Sequence, residues 1–394
     1  MVSSNYYVQD NSDLENKKLE AASVLYKQGN FSGALNIYLG MVNTSFSYKL
    51  YYEIGRCYYK LNDFEKAEEF FKQSIALEDK RNPSYTFLGN VFSKREDVNT
   101  AIEYWAKAFS FRPDDESVCL NLATSYFSKN MKFQSLYYYE KYLKYAKDKA
   151  SNYYLEIKKS IDGFKDLGLD FYQKAQKAIS LHDNETAIQS LSYAVKNYPL
   201  SFDANYLLGK LYGEEKNYMQ ALVYLKQGFC VDRKSLDILQ LLSTIMLNLS
   251  DYTGAYCALK RMLPLVLNNQ REYLEITKLI KQLESGFDKM SAQGHLDWAD
   301  NYYRDNNYQL ALLEYENATI INSELIDELD LKIQLLKSYI YPEERIIKSC
   351  LERGGAMYSN GDFKKSNKYF TKIMTLSNEN TYEYKLAKSR IRNV

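Results

Sequence analysis

Residues that carry chemistry are scarce in this chain of 394 residues. It holds two histidines, His182 and His295, in different parts of the sequence and with no cysteine at ligand spacing from either. Zinc sites need such clusters, so no metal is expected. The five cysteines (Cys57, Cys119, Cys230, Cys257, Cys350) are odd in number, scattered and free of any CxxC pair. They read as buried free thiols rather than as a disulfide framework. Five prolines and 16 glycines are too few for a turn-rich fold and suit a nearly all-helical one. No apolar run approaches the ~20 residues of a membrane span. Charge of one sign is missing too: 51 Lys+Arg against 50 Asp+Glu argues against a general polyanion binder. No GxxxxGK[ST], GxGxxG or GxSxG occurs. Acidic pairs such as Asp114-Asp115 and Glu214-Glu215 fall at helix starts and turns, where they suit the helix dipole. The opening residues lack a basic stretch followed by an apolar one, so no secretory signal is read and the cytoplasm is the expected compartment. The expectation is a chain without catalysis or cofactor.

Tyrosine, with 39 copies, and a repeat are what the sequence has in plenty. The unit is clearest at 48–79. Tyr51, Ile54, Tyr58 and Leu61 fall three or four apart, the spacing of one helix face. Asn62-Asp63 breaks it with turn-forming side chains, and a second face follows at Phe64, Ala67, Phe70, Phe71, Ser74 and Leu77. Gly55 and Ala67 are small, as a close helix–helix contact demands. An alanine with a large residue four positions later recurs as Ala34/Tyr38, Ala67/Phe71, Ala101/Trp105, Ala187/Leu191, Ala221/Leu225, Ala255/Leu259 and Ala311/Tyr315. Leu136 and Ser366 (with Phe370) take the alanine position in degenerate copies.

A helix–turn–helix repeat of about 34 residues resembles the tetratricopeptide repeat (TPR). Tyr85, Leu88-Gly89, Phe92, Ala101, Trp105 and Pro113 match its signature, as do Leu208-Gly209, Tyr212, Ala221 and Leu225. The resemblance spans roughly 14–380 and implies an all-α, TPR-type α-solenoid, a right-handed superhelix of helix–turn–helix repeats.

The marker jumps by more than one period at three places, after Leu136, Ala255 and Ala311, by a surplus of about one helix each. The surplus segments resemble the cap-like helix that follows TPR arrays. The expected division is a flexible tail at 1–13; a module of four repeats plus cap helix at 14–165; three repeats plus a linking helix at 166–285; a single repeat plus an extra helix at 286–341; and a TPR-like repeat plus a basic capping helix at 342–394. Apolar positions stay in phase through 273–302 and 154–178, which predicts nearly continuous helices at about 271–304 and 152–180. Pro342 predicts a break after Tyr341 and a new helix starting at the proline.

In the family resembled, the first helix of each repeat lines a concave groove that binds protein or peptide. Carried over, the groove residues are Leu19, Ser23, Tyr26, Lys27, Tyr52, Arg56, Tyr59, Lys60, Phe87, Asn90, Lys94, Leu120, Asn121, Thr124 and Phe127, then Tyr172, Gln176, Tyr206, Lys210, Asp297, Asp300, Tyr303, Arg304 and Tyr358. Recurring aromatics give contact area at little entropic cost, and Arg56, Lys60 and Lys94 form a small basic cluster among them. The family's two-carboxylate clamp is not carried over: one turn before Asn90 stands Thr86, not lysine. Near the C-terminus Glu324, Asp327, Glu328, Asp330, Glu343 and Glu344 are acidic, and Lys364, Lys365, Lys368, Lys372, Lys385, Lys388, Arg390 and Arg392 form a candidate basic docking surface. Aromatics scarcely interleave with that basic run, so nucleic acid is not expected. The function expected is a protein-interaction adaptor or scaffold. The alternatives are a peptide-sensing regulatory receptor and an assembly factor for a secretion, pilus or motility machine.

Overall fold

A computed structural model describes the backbone of residues 4–42, 47–79, 82–287 and 289–392, and the side chains of those stretches from Leu14 onward except residue 289. Among the described residues there is helix and no strand. The first three hairpins are α1 (Ser4–Lys27) with α2 (Phe31–Leu39), α3 (Tyr48–Lys60) with α4 (Phe64–Leu77), and α5 (Ser84–Lys94) with α6 (Val98–Phe111). The fourth pairs α7 (Glu116–Ser128) with α8 (Lys132–Tyr145), and the fifth α9 (Asn152–Ser180) with α10 (Asn184–Asn197). The sixth and seventh are α11 (Phe202–Glu214) with α12 (Tyr218–Val231) and α13 (Leu236–Asn248) with α14 (Tyr252–Met262). A single helix α15 (Gln270–Leu283) precedes the eighth hairpin, α16 (Ala292–Arg304) with α17 (Tyr308–Ile321). Then come α18 (Ile326–Ile340), the ninth hairpin α19 (Pro342–Ser359) with α20 (Phe363–Leu376), and α21 (Tyr382–Arg390). The chain forms two compact units, Met1–Val118 and Cys119–Val394, whose boundary falls inside α7.

One turn closes every hairpin. Its central residue is left-handed, at Gly29, Asn62, Glu96, Asn130, His182, Lys216, Ser250, Asn306 and Gly361, with φ between +57° and +81°. His182 is therefore a turn residue. The next residue caps the second helix: Asn30, Asp63, Asp97, Asp183, Asp251, Asn307 and Asp362 each accept a bond from the backbone N–H three positions on. Such caps satisfy a donor that the helix start leaves over, worth about 1 kcal/mol each.

The close contact inside a hairpin is glycine against the large residue that follows the marker by four. A Cβ on Gly55 would lie 2.7 Å from the Phe71 ring, and one on Gly209 2.6 Å from Leu225. The marker alanines Ala34, Ala67, Ala101, Ala187, Ala221, Ala255 and Ala311 are all fully buried. All five cysteines are free thiols, four of them buried.

The long helix predicted at 152–180 exists as α9, unbroken through Gly163 and Gly168. The break at Pro342 also exists: α18 ends at Ile340 and α19 starts on the proline. The continuous helix predicted at 271–304 does not. Residues 284–287 are non-helical, between α15 and a 3₁₀ turn at Lys289–Ser291. Gly286 N–H closes a tight turn on Leu283 O (2.8 Å), while Glu284 and Phe287 fold onto α14, the carboxylate accepting from Tyr256 O–H (3.2 Å) and the ring edge-on to Tyr256 (5.0 Å). Phe287 is thereby packed, partly buried, against the apolar cluster that α14 belongs to. At the other end, 1–3 lie outside the described residues, and from Ser4 the backbone expected as a tail is part of α1.

In the second unit α17 is buried on every side: Tyr308, Gln309, Leu312, Leu313, Glu314, Tyr315, Asn317 and Ala318 all lie inside. It packs on α12 and α14, with Leu313 in their apolar cluster. Gln134 of α8 donates to its N-cap Asn307 (3.0 Å), and Tyr126 O–H donates to Asn306 O (3.0 Å). Tyr137 O–H donates to Ile340 O (2.7 Å), and Lys141 pairs with Glu343. The repeats of this unit thus touch partners far along the chain as well as their neighbours.

Candidate functional site

In the first unit, Ser23, Tyr26 and Lys27 of α1 and Arg56 and Lys60 of α3 come together around one hollow of about 350 Å³. Gly29, Phe31, Tyr38 and Glu53 complete its wall. Arg56 is the charged residue with the most aromatic neighbours in that wall. The guanidinium lies 4.2 Å from the Tyr26 ring, 5.5 Å from Tyr52 and 5.9 Å from Phe87. Its Nη1 donates to both oxygens of Glu53 (3.1 and 2.8 Å), and its Nε is hidden from solvent without an acceptor. About a quarter of each side chain of the pair is exposed, 26% and 27%.

Burial sets the electrostatics here. It pushes the Glu53 carboxyl up, and the neighbouring Arg56 charge offsets this only in part. Burial pulls Arg56 down, but Glu53, Tyr52 and Tyr26 more than compensate and hold it charged. Burial pushes Tyr52 up to about 12 and Cys57 up to about 12, so both stay neutral near pH 7.

The aromatic wall continues from Tyr52 through Phe87 (5.6 Å) to Tyr59 (5.8 Å). Phe87 also stacks on the buried Phe71 (5.4 Å), so its ring braces the wall as well as lining it. Asn90 is turned inward and accepts from Trp105 Nε1–H (3.1 Å), whereas Lys94 is exposed. Reading the sequence missed Glu53, Phe31 and Tyr38. Glu53 was within reach of inference: it stands three residues before Arg56 on the same helix face.

The expected groove residues of the second unit do not gather in one place. Phe127 is 67% exposed. Tyr172 accepts from Gln176 of its own helix, and Tyr206 stacks on Phe202. Tyr303 lies against Tyr308, with Lys332 over its ring. Tyr358 is covered by the C-terminal segment: Arg392 donates to its hydroxyl (2.7 Å), and Arg390 lies over its ring. Those two arginines are therefore spent within the chain, and Lys365 pairs with Asp362 (2.8 Å). Lys364, Lys368, Lys385 and Lys388 remain exposed, and Lys372 is half-buried. On the acidic side Glu343 is buried against Lys141 rather than displayed.

A second group of charges, around α17, is closed. Glu314 is fully buried; it accepts from His295 Nδ1 (2.6 Å), Lys226 Nζ (2.7 Å) and Asn317 Nδ2 (2.9 Å). Burial would raise its carboxyl, but the His295 bond and the Lys226 charge overcome this and hold it at about 2. Two residues on, Glu316 is shared by Arg233, Arg261 (3.5 Å) and Lys337 (3.2 Å).

Two stretches, residues 48–80 and 172–228, match family models of the tetratricopeptide repeat. The chain is 22% identical over 339 residues to BBSome complex member BBS4 of Bos taurus, covering 81% of this chain and 58% of that one. It thus spans somewhat over half the length of this curated relative. Among solved structures, the TPR domain of P58(IPK) shares 14% identity, with 87% of this chain and 97% of that one covered and a TM-score of 0.34. The TPR2AB domain of yeast Sti1, in complex with pHSP90, shares 12% identity over 69% of this chain and 99% of that one, with a TM-score of 0.29.

Proposed function

The chain is a tetratricopeptide-repeat protein, and on that premise we propose that it is a non-catalytic adaptor that holds a segment of a partner protein against the first helices of repeats 1 to 3. One observation carries this reading: Arg56, flanked by three aromatic rings, lines a hollow that Lys27 and Lys60 also line. Rigid aromatics supply contact area, and the cations set register and encounter rate with an acidic segment. Hot spots on such walls are aromatic residues and arginine surrounded by less critical contacts. Tyr26, Tyr52, Tyr59 and Arg56 fill that role, with Lys60 and Lys94 at the rim. The bovine relative is itself named as a member of a complex.

The test is a pull-down from the native source with wild type and a Tyr26→Ala/Arg56→Glu double variant, each checked for an unchanged melt. Specific loss of one set of partners with the variant supports the reading. An identical set from both proteins sinks it.

A further inference from the structure

The hollow beside Arg56 already contains a carboxylate. Glu53 lies in the wall and grips Nη1 with both oxygens, leaving Nε with no acceptor. The Tyr26 ring covers one face of the guanidinium, so a ligand reaches it by the edge that Glu53 now holds. Lys27 and Lys60 line the same hollow, both exposed, and no described carboxylate forms an ion pair with either. A ligand carboxylate entering here exchanges one single charge for another at Arg56 and gains little. A phosphate monoester differs: it carries close to two charges and three acceptor oxygens, enough to engage the arginine fork and two lysines together. A volume of about 350 Å³ suits one side chain with its phosphate.

Resting on the adaptor reading above, we propose that the hollow takes a phosphorylated side chain of the partner segment, and that Glu53 is a built-in counter-ion that discriminates against plain carboxylates. Burial already raises the Glu53 carboxyl, which eases its loss of charge once Arg56 turns to the ligand.

The experiment titrates the full chain with three short Gly/Ala/Ser peptides, identical except for a central phosphoserine, glutamate or serine, and with inorganic phosphate, read by calorimetry and by NMR shifts of Tyr26 and Gly29. The expected result is binding of the phosphopeptide about ten-fold or more tighter than the glutamate peptide and than inorganic phosphate. Glu53→Gln narrows the peptide ratio to about three-fold, by a gain for the glutamate peptide, because the internal competitor is gone. Lys27→Ala/Lys60→Ala, on exposed positions that leave the fold intact, weakens the phosphopeptide about ten-fold. Equal affinity for the two acidic peptides, an unchanged ratio in Glu53→Gln, or no binding of either overturns the proposal. Inorganic phosphate matching the phosphopeptide makes this a free-anion site, which also overturns it. Phosphatase treatment of the source before the pull-down separates the two readings. Partners that resist phosphatase yet are lost with Tyr26→Ala/Arg56→Glu leave the adaptor standing and remove the phosphate. Partners indifferent to that double variant remove the adaptor.

Discussion

Arg56 in the first unit and Glu314 in the second are charged groups drawn into the fold by similar means and left in opposite states. Arg56 meets one carboxylate through one nitrogen, lies between aromatic rings and opens on a hollow. Glu314 meets a lysine, a histidine and an asparagine and reaches no solvent. A charge whose bonding capacity is all used within the chain is part of the core, and removing it strands its partners. A charge with donors and neighbours to spare costs the free protein something and can repay it on binding. The difference separates a structural ion group from a candidate site more sharply than burial alone.

The largest expected effect tests the closed side. Glu314→Ala should cost about 3–5 kcal/mol in urea denaturation, since Lys226 and His295 are left without their shared acceptor. Arg56→Gln should cost under about 1 kcal/mol, because the pair it breaks is partly solvated. A reversal of these two values would break the comparison outright.

Acid should then divide the units. Glu314 has a folded pKa of about 2, below its ordinary value of 4.5. Its contribution is complete above about pH 4.5 and is lost as the pH falls toward 2. Glu53 has the opposite sign: its carboxyl is raised, so protonation relieves the cost of burying it. Amide exchange followed from pH 6 to about pH 2 should show α17 losing protection well before α3. Loss of protection at α3 first would contradict the assignment.

On the open side, Tyr26→Ala and Tyr59→Ala should each weaken partner binding by about 1–3 kcal/mol with little change in melting temperature. Phe87→Ala should lower both, because that ring is packed on Phe71. A Tyr26→Ala variant that melts early but binds normally would turn the wall into core.

The smallest expected effect is one the two units should share. Glu96→Gly in the first and Lys216→Gly in the second relieve a left-handed side chain, with φ of 63° and 62°. Each should stabilise by about 1 kcal/mol or less in a thermal melt, after the entropy of the new glycine is subtracted. A gain in only one unit would show that one turn carries contacts the other lacks.

Much of the repeat pattern could be read because its signals are local. The marker alanine, the large residue after it and the capping Asp or Asn report contacts within one hairpin, so Ala67, Phe71 and Asp63 announce themselves. Pro342 is as local, since a missing N–H acts where it stands. The bend at 284–287 was not legible. Apolar phase survives a short turn whenever the flanking helices happen to resume in register, and the deciding contact, Phe287 on Tyr256, lies outside the segment. The burial of α17 was hidden for the same reason. Gln309, Glu314 and Asn317 look like solvent residues, and only distant partners such as Lys226 and Arg261 make them interior ones. At the site, the aromatic and basic residues of α1 and α3 were visible as a face, but nothing in the repeat signature marked Glu53 as part of it.

The long-range bonds of the second unit also set a timetable for its synthesis. Tyr137 and Ile340 are separated by 203 residues, and Tyr126 and Asn306 by 180. At ribosomal rates of ~5–20 residues per second, α8 waits roughly 10–40 s for its last partner to be made. During that interval the surfaces that Tyr126 and Tyr138 later bury are open to chaperones or to neighbouring chains. The hairpins before them close on sequence neighbours and can settle as they emerge. A nascent chain halted near residue 300 should therefore carry a finished first unit ahead of an unfinished second one.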